Sequence, residues 1–567
     1  MNSFIVPVRW SVVSRTTKDD VLPAAGAPRL EKRVTVAPPL ELIVGHPGGN
    51  PLVRAYFAND PSVTRFFGPH FGSLEAFASK AREVDGRVDR AARERAVESV
   101  IVPPSADPRR LERFVEEGGY MVTTGQQPGL FGGPLYNISK GLTAVRLAEA
   151  LEERLGRPVL PLFWVSSEDH DWAEASQASV VGIDNQVHTL TVSALQEGVT
   201  PSVHRIALPD SVEATRNEFL GLLPKTDFSA EYFALLEEAF QPGRTIGDGF
   251  HTTLQHLLGR FGLFFTDGAH PAVKRDSAGV LWAELARATE MEGVLRGTAE
   301  ALKSGGYDLQ VPILEGSINL FLDGPAGRER LYRQDGGFRL RASGEHLSAA
   351  QIRARVAKDA EALSPNVLLR PIVESSLFPT LAYVGGPGEM AYFAQLRDYF
   401  SAHGIAMPVI YPRWAATLVE GKIRKVLDKF GLDVAALDRP FHEVAGDVAR
   451  EEVSADVRAA LGKLRGTIGG GLAELKRAAT AVDKTLAGPV QQVGAQANAA
   501  LDDVEKKILQ AVKREGEIGL SQLEKAQVHL FPLGKPAERV QSPFYYLTRY
   551  GGSLLDQLYE RFRVNLS

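Results

Sequence analysis

The stretch that decides the fold runs from Met121 to Asp171: MVTTGQQPGLFGGPLYNISKGLTAVRLAEALEERLGRPVLPLFWVSSEDHD. It reads as a strand, a glycine-broken loop, an amphipathic helix, a second strand, and a burst of acids around one histidine. Leu135, Ile138, Leu142, Val145, Leu151 and Leu155 recur at helical spacing, with Arg146, Glu149, Glu152, Glu153 and Arg154 mostly elsewhere on the wheel. Pro134 sits near the first turn, where its missing N–H costs nothing, and Gly156 with Pro158 supplies the stop. The apolar run Val159 to Val165 is too short for a helix and suits a strand buried on both faces. In an open parallel sheet the loops of such a β-α-β unit open on the crevice where small ligands bind.

The loop before the helix holds Gly125, Gly129, Gly132 and Gly133. Glycine admits positive φ and lets backbone N–H groups approach an anion at a helix N-terminus. The spacing matches neither the dinucleotide fingerprint nor the phosphate-binding loop, since no Gly-Lys-Ser/Thr follows. An ordinary tight turn is the competing reading, and the paired amides Gln126 and Gln127 favour a binding loop. After the second strand come Glu168, Asp169, His170 and Asp171. Three carboxylates beside one imidazole repel unless a cation, metal or ligand compensates them. The plainer alternative is an acid-decorated helix start. His170 belongs to no His-Glu-x-x-His pattern, so a metal reading is weak.

A junction far downstream repeats the plan. Thr380 to Val384 is a short strand, GGPGE follows, and MAYFAQLRDYFSAHG reads as one helix ending at Gly404. The strand MPVIYP and Arg413 come next. Glu389, Tyr392 and Gln395 are spaced to share a helical face. Taken singly, Tyr392 could equally pack, Gln395 be solvated, and Lys140 be an ordinary surface lysine.

Four segments then stand in order: TTGQQPGLFGGPLYNISK, PLFWVSSEDHDW, LRPIVESSLFPTLAYVGGPGEMAYFAQL and LFPLGKPAERVQSPFYYLTRYG. Together they resemble the cysteine-adding enzymes of bacillithiol biosynthesis, and they extend from the first third of the chain to its C-terminal part. The chain departs from that pattern at Ser139, where many relatives carry histidine, so a phosphate contact of the kind made in nucleotidylyl-transferase folds has no histidine there. The resemblance implies condensation of cysteine with the amino sugar of glucosaminyl-malate. Amide formation from a free carboxylate requires activation. ATP or another adenine nucleotide would be the ordinary means, and no metal is firmly implied. The candidates for catalysis are Asp169, His170 and Asp171. Those for binding substrate or nucleotide are Thr124, Gln126, Gln127, Gly132, Gly133, Tyr136, Lys140, Glu168, Gly385, Gly386, Gly388, Glu389, Tyr392, Gln395 and Arg413. Two other classes stay open: a metal-dependent hydrolase or transferase using Glu168 to Asp171, and a non-catalytic nucleotide-binding scaffold.

Composition fits a cytoplasmic enzyme. The 567 residues exceed one compact core, and a net charge of −5 from 64 basic and 69 acidic residues, without a long basic block, disfavours nucleic acid as a partner. No apolar run approaches the roughly 20 residues that span a bilayer, and the start MNSFIVPVRW lacks the features of a signal peptide. The absence of cysteine excludes disulfides, thiolate–zinc sites and a cysteine nucleophile.

The expected architecture is an α/β chain: a Rossmann-like parallel-sheet core with inserted subdomains and a C-terminal antiparallel coiled-coil arm. The core covers 1–429, with a largely helical region after an extended start in 1–106 and an inserted subdomain at about 184–345. Within this stretch FGLFFTD is a candidate core strand. YDLQVPILEGSINLFLDG and RERLYRQDGGFRLRA alternate like antiparallel strands. The arm covers 430–530. Leu461, Leu464, Ile468, Leu472, Leu475, Ala479, Val482 and Leu486 step along one helix, with a slip at Gly469 to Gly471 and a break at Gly488-Pro489. Val493, Ala497, Val504, Ile508 and Val512 mark a second helix. Its narrow stripe predicts a homodimer, with folding back on the chain's own core as the alternative. Residues 531–567 are expected to rejoin the core.

Overall fold

The computed structural model describes residues 39–193, 198–334 and 336–567. The start read for a signal peptide, and most of the stretch read as extended, lie outside these residues. The chain forms two compact units: residues 42–418 with 538–567, and residues 39–41 with 419–537. Apart from residues 39–41, the second unit starts at Val419, whereas the sequence reading put the start of the arm at 430.

The heart of the first unit is a five-stranded, all-parallel sheet. Its strands are β1 (Tyr120–Gln126), β2 (Val159–Val165), β3 (Phe264–Asp267), β4 (Thr380–Gly385) and β5 (Val409–Pro412), in the order β5-β4-β1-β2-β3. Every residue of β2 is buried, as its unbroken apolar run requires. The register aligns the carboxyl ends: Gln126 pairs with Val165, Val165 with Asp267, and Gly385 with Pro412. From β1 the chain winds outward through β2 and β3, then returns to the other side of β1 as β4. The strand order therefore reverses beside β1.

Helix α1 (Tyr136–Leu155) follows β1 and ends at Gly156, which takes the left-handed conformation with φ 65°. Its Ala144, Leu147, Ala148 and Leu151 pack with Val122, Val384 and Tyr411 on one face of the sheet. Helix α2 (Pro387–Phe393) follows β4 and packs through Met390, Ala391 and Phe393 against Trp164, Tyr383 and Ile410 on the opposite face. Two helices leaving adjacent strands toward opposite faces open a crevice between their starts.

A second, antiparallel sheet runs in the order His346–Leu347, Gly337–Leu340, Gly327–Gln334, Ser317–Gly324, Leu363–Pro365. This sheet reaches Pro365, beyond the expected limit of the insertion at about 345, and the core strand β3 lies inside that expected range. Residues 307–316, read as strand, are irregular. The single helix expected over 390–404 is two, α2 and Arg397–Ala402. Gln395 sits at the break with its side chain fully buried. It accepts from Val311 N–H at 3.0 Å and donates to Val311 C=O at 2.9 Å, anchoring the 307–316 segment.

The second unit carries the arm. One helix, Ala455–Val482, runs straight through Gly469 to Gly471, and another spans Ala487–Glu515. The break falls at Asp483, whose side chain caps the short turn Lys484–Leu486, and not at Gly488-Pro489. Pro489 lies in the first turn of the second helix, where no N–H is needed. Arg465 joins the two helices through Asp502 at 2.6 Å and Glu505 at 2.8 Å.

Candidate active site

At the strand-order reversal lies a cavity of about 610 Å³, within the size range of small-ligand sites. Gly125, Gln126 and Gln127 enter from the end of β1, Tyr136 and Lys140 from α1, and Ser166, Glu168, Asp169, His170 and Glu174 from the segment after β2. Gly386, Gly388, Glu389 and Tyr392 come from the start of α2, and Arg413 follows β5. The antiparallel sheet adds Phe321, Arg328 and Arg330, and further wall comes from Asn366, Arg370 and Tyr383. Arg539 arrives from the C-terminal segment.

Lys140 is the hub. Its Nζ lies 2.6 Å from Glu389 Oε2 and donates to the Gly125 carbonyl at 2.6 Å and to Gln126 Oε1 at 2.9 Å. Burial holds its pKa below the usual lysine range; Arg413 and Arg370 push the same way, and Glu389 opposes them. Burial acts to raise the Glu389 carboxyl, but Lys140, the Gly386 N–H at 2.8 Å and the Tyr383 hydroxyl at 2.5 Å outweigh it and keep the carboxyl below its ordinary range. An ionised pair is the direction these contacts support.

The arginines are fixed from behind. Arg370 donates to the buried Glu374 at 2.7 Å, and Glu374 also accepts from Thr123. Arg413 forks onto Glu538 with contacts of 2.6 and 3.0 Å, leaving its guanidinium 5.5 Å from the Tyr136 ring. The acids are less free than their number suggests. Glu168 is buried and paired with Lys274 at 2.5 Å. Asp169 accepts its neighbour His170 N–H at 2.7 Å. Burial acts to raise its carboxyl, yet the Arg328 guanidinium and the His170 backbone N–H hold it low. Glu174 has no ion pair among the described residues. Its side chain lines the cavity and is exposed to solvent overall. Burial of the carboxyl, then Asp171 and Asp169, push its pKa up.

Of the residues singled out from sequence, the cavity brings together Gln126, Gln127, Tyr136, Lys140, Glu168, Asp169, His170, Gly386, Gly388, Glu389, Tyr392 and Arg413. It leaves out six. Thr124 donates from Oγ1 to the Val384 carbonyl at 2.8 Å and braces the sheet. Gly132 and Gly133 have φ of 81° and 64°, so glycine is required, but they pack against Thr253 and Asn137 away from the cavity. Asp171 caps the short helix Trp172–Ala175 by accepting the Glu174 N–H, which is the plain alternative for an acid at a helix start. Gly385 ends β4, and Gln395 serves the fold. Sequence reasoning missed Arg328, Arg330, Arg370, Glu174 and Arg539. Arg370 and Arg539 stand inside two of the quoted motifs, whereas Arg328 and Arg330 had no local signal. Among the described residues, no group of three or more His, Asp or Glu side chains is placed to hold a metal ion, and no helix is long and apolar enough to cross a membrane.

Comparison with known proteins agrees over nearly the whole chain. Residues 41–414 match the N-terminal Rossmann-like domain of bacillithiol biosynthesis BshC, and residues 416–565 match its C-terminal coiled-coil domain. Among relatives bearing the name "Putative cysteine ligase BshC", that of Salinibacter ruber is 34% identical over 81% of this chain and 83% of its own length. Those of Chlorobaculum tepidum and Symbiobacterium thermophilum are each 32% identical, over 79% and 89% of this chain and 82% and 94% of their own lengths. With a Rossmann-like core, a coiled-coil arm and relatives aligned along most of both chains, the protein belongs to the BshC family of bacillithiol biosynthesis.

Proposed function

We propose that this chain joins the carboxyl group of cysteine to the amine of glucosaminyl-malate, forming bacillithiol in the cytoplasm. The supporting observation is the two-signed cavity at the sheet's switch point. Glucosaminyl-malate carries two carboxylates, and Arg330 and Arg539 supply guanidinium groups in the fork geometry that carboxylates favour, with Arg370 and Arg413, held by Glu374 and Glu538, adding positive charge. Both substrates also carry an amine, and Asp169 and Glu174 are the carboxylates left to receive one.

In the bond-forming step the amine nitrogen attacks the activated carboxyl carbon. The C–N bond forms, the C–O bond to the activating group breaks, and the amine gives up a proton. Asp169 or Glu174 accepts it, with Glu174 the more basic of the two because burial and its acidic neighbours raise its pKa. Activation by ATP or another adenine nucleotide belongs to the same proposal. Gly132 and Gly133 do not face the cavity, so phosphate groups there would meet the arginines.

Purified protein incubated with cysteine, glucosaminyl-malate and one nucleotide at a time should yield bacillithiol by mass spectrometry, and the nucleotide by-product should name the energy source. No product with any nucleotide, or hydrolysis in place of condensation, refutes the reading.

The arm is proposed to form a homodimer. Leu464, Leu475, Val493 and Val504 remain 46%, 51%, 52% and 46% exposed, and among the described residues no side chain of Ala455–Val482 is buried. A second copy is the occupant that matches such a repeated stripe. Light scattering should give twice the chain mass, and replacing Ala455–Glu515 by a flexible linker should give a monomer. A monomeric intact protein at micromolar concentration refutes the dimer.

A further inference from the structure

A histidine flanked by carboxylates reads as a proton acceptor, yet the surroundings of His170 demand a different role. Its Nδ1 lies 2.9 Å from Nη1 of Arg328 and 3.3 Å from Oδ1 of Asp169. These contacts ask opposite things of one nitrogen. A guanidinium has N–H donors, no lone pair, and a charge it does not give up. At the shorter distance, with an N–H aimed at it, Nδ1 must offer its lone pair. The Asp169 oxygen does not need a proton on Nδ1, since it accepts the His170 backbone N–H at 2.7 Å and lies 3.6 Å from the Arg328 guanidinium.

Arg328 cannot turn away. It is buried, its Nε donates to Ser364 Oγ at 2.8 Å, its Nη2 donates to the Pro365 carbonyl at 2.7 Å, and its guanidinium lies 4.0 Å from the Phe321 ring centroid. The same Phe321 sits against the His170 ring at 5.1 Å. The other charged groups facing this corner are Glu168, already held by Lys274, Asp323, paired with Arg205 at 3.1 Å, Glu174 beside Asp169, and Arg330, itself over Phe321 at 5.1 Å. A neutral imidazole with its lone pair at Nδ1 carries its hydrogen on Nε2. That nitrogen has no partner among the described residues, and the ring lines the cavity.

We propose that His170 is a neutral hydrogen-bond donor, with its Nε2–H fixed by Arg328, and that it donates to the carbonyl oxygen of the activated carboxyl group as negative charge develops there. This rests on the bond-forming reading above. The amine's proton then goes to a carboxylate, and Arg328 is a positioning residue that acts through the histidine. Such a donor is effective because it is aimed before the charge appears.

The test uses the full-length protein with ¹⁵N-labelled histidine, the His170 signals being assigned by their loss in H170A. At pH 7.5 the His170 ring should show hydrogen on Nε2 and none on Nδ1. R328K, another donor-only side chain, should preserve this pattern, and R328Q, whose amide can also accept, should allow the hydrogen to move. Hydrogen on Nδ1, or on both nitrogens, in the parent protein overturns the proposal whether or not the Arg328 variants fold. In product formation, H170A should fall by about a hundredfold or more. H170Q, whose amide nitrogen reaches near the place of Nε2, should keep most of the rate. An H170Q as inactive as H170A also overturns the proposal. Failure of the parent protein to make bacillithiol would refute the bond-forming reading while leaving the spectroscopic result to stand by itself.

Discussion

Replacing Lys140 by methionine tests whether the centre of the site is an ion pair held in place by the fold. The substitution removes an ammonium whose side chain is 2% exposed and leaves Glu389, 21% exposed through the cavity, without its cation. Breaking a buried pair from one side costs about 3–5 kcal/mol. Glu389 keeps the Gly386 N–H and the Tyr383 hydroxyl, so the lower end, about 3 kcal/mol, is expected. Glu389→Gln should cost less, because Lys140 still donates to the Gly125 carbonyl and Gln126. The double variant K140M/E389Q should be more stable than the sum of the singles by about 1–3 kcal/mol, measured by guanidinium unfolding followed through tryptophan emission. The acid limb gives a second reading. The folded Glu389 carboxyl lies below its ordinary range, so its contribution is complete above the unfolded value of about 4.3 and is lost as pH falls through the lower folded value. K140M should flatten that loss. Strictly additive single and double variants, with an unchanged acid limb, would refute a coupled ion pair.

Asp169→Asn should lower bacillithiol formation by about a hundredfold at an unchanged unfolding midpoint, and full activity would remove Asp169 from the machinery. Gly132→Val should act on stability, because φ is 81° and its Cβ would lie 3.0 Å from Thr253 Cγ2. A loss of about 1–3 kcal/mol with undiminished product binding by calorimetry is expected. Lost binding at full stability would restore this loop as an anion cradle.

The β-α-β unit was legible because its determinants are local. A helical repeat from Leu135 to Leu151, a glycine at 156 and seven consecutive buried positions at 159–165 specify their elements without reference to the rest of the chain. The same locality made Lys140, Glu389, Asp169 and His170 visible, since residues at the ends of parallel strands converge whatever lies between them. Gly132 and Gly133 show the limit. Their need for positive φ could be read from the sequence, but what they face depends on Thr253, more than a hundred positions away. The Met390 to Gly404 helix broke for a similar reason, because Gln395 gains two backbone partners at Val311 that no periodicity can announce.

By itself, then, the sequence determined the parallel α/β core, the helical arm and the crevice where the loops meet. Only the tertiary structure decided the chemistry of that crevice. It brings Arg328 from the antiparallel sheet, Arg370 from its own helix and Arg539 from beyond the arm to one cavity, and it turns Asp171 into a cap. Propensity and spacing act over a few residues, whereas charge and hydrogen-bond demand are settled across space. His170 meets its nearest ring-nitrogen partner, the Arg328 guanidinium, 158 positions downstream, at 2.9 Å.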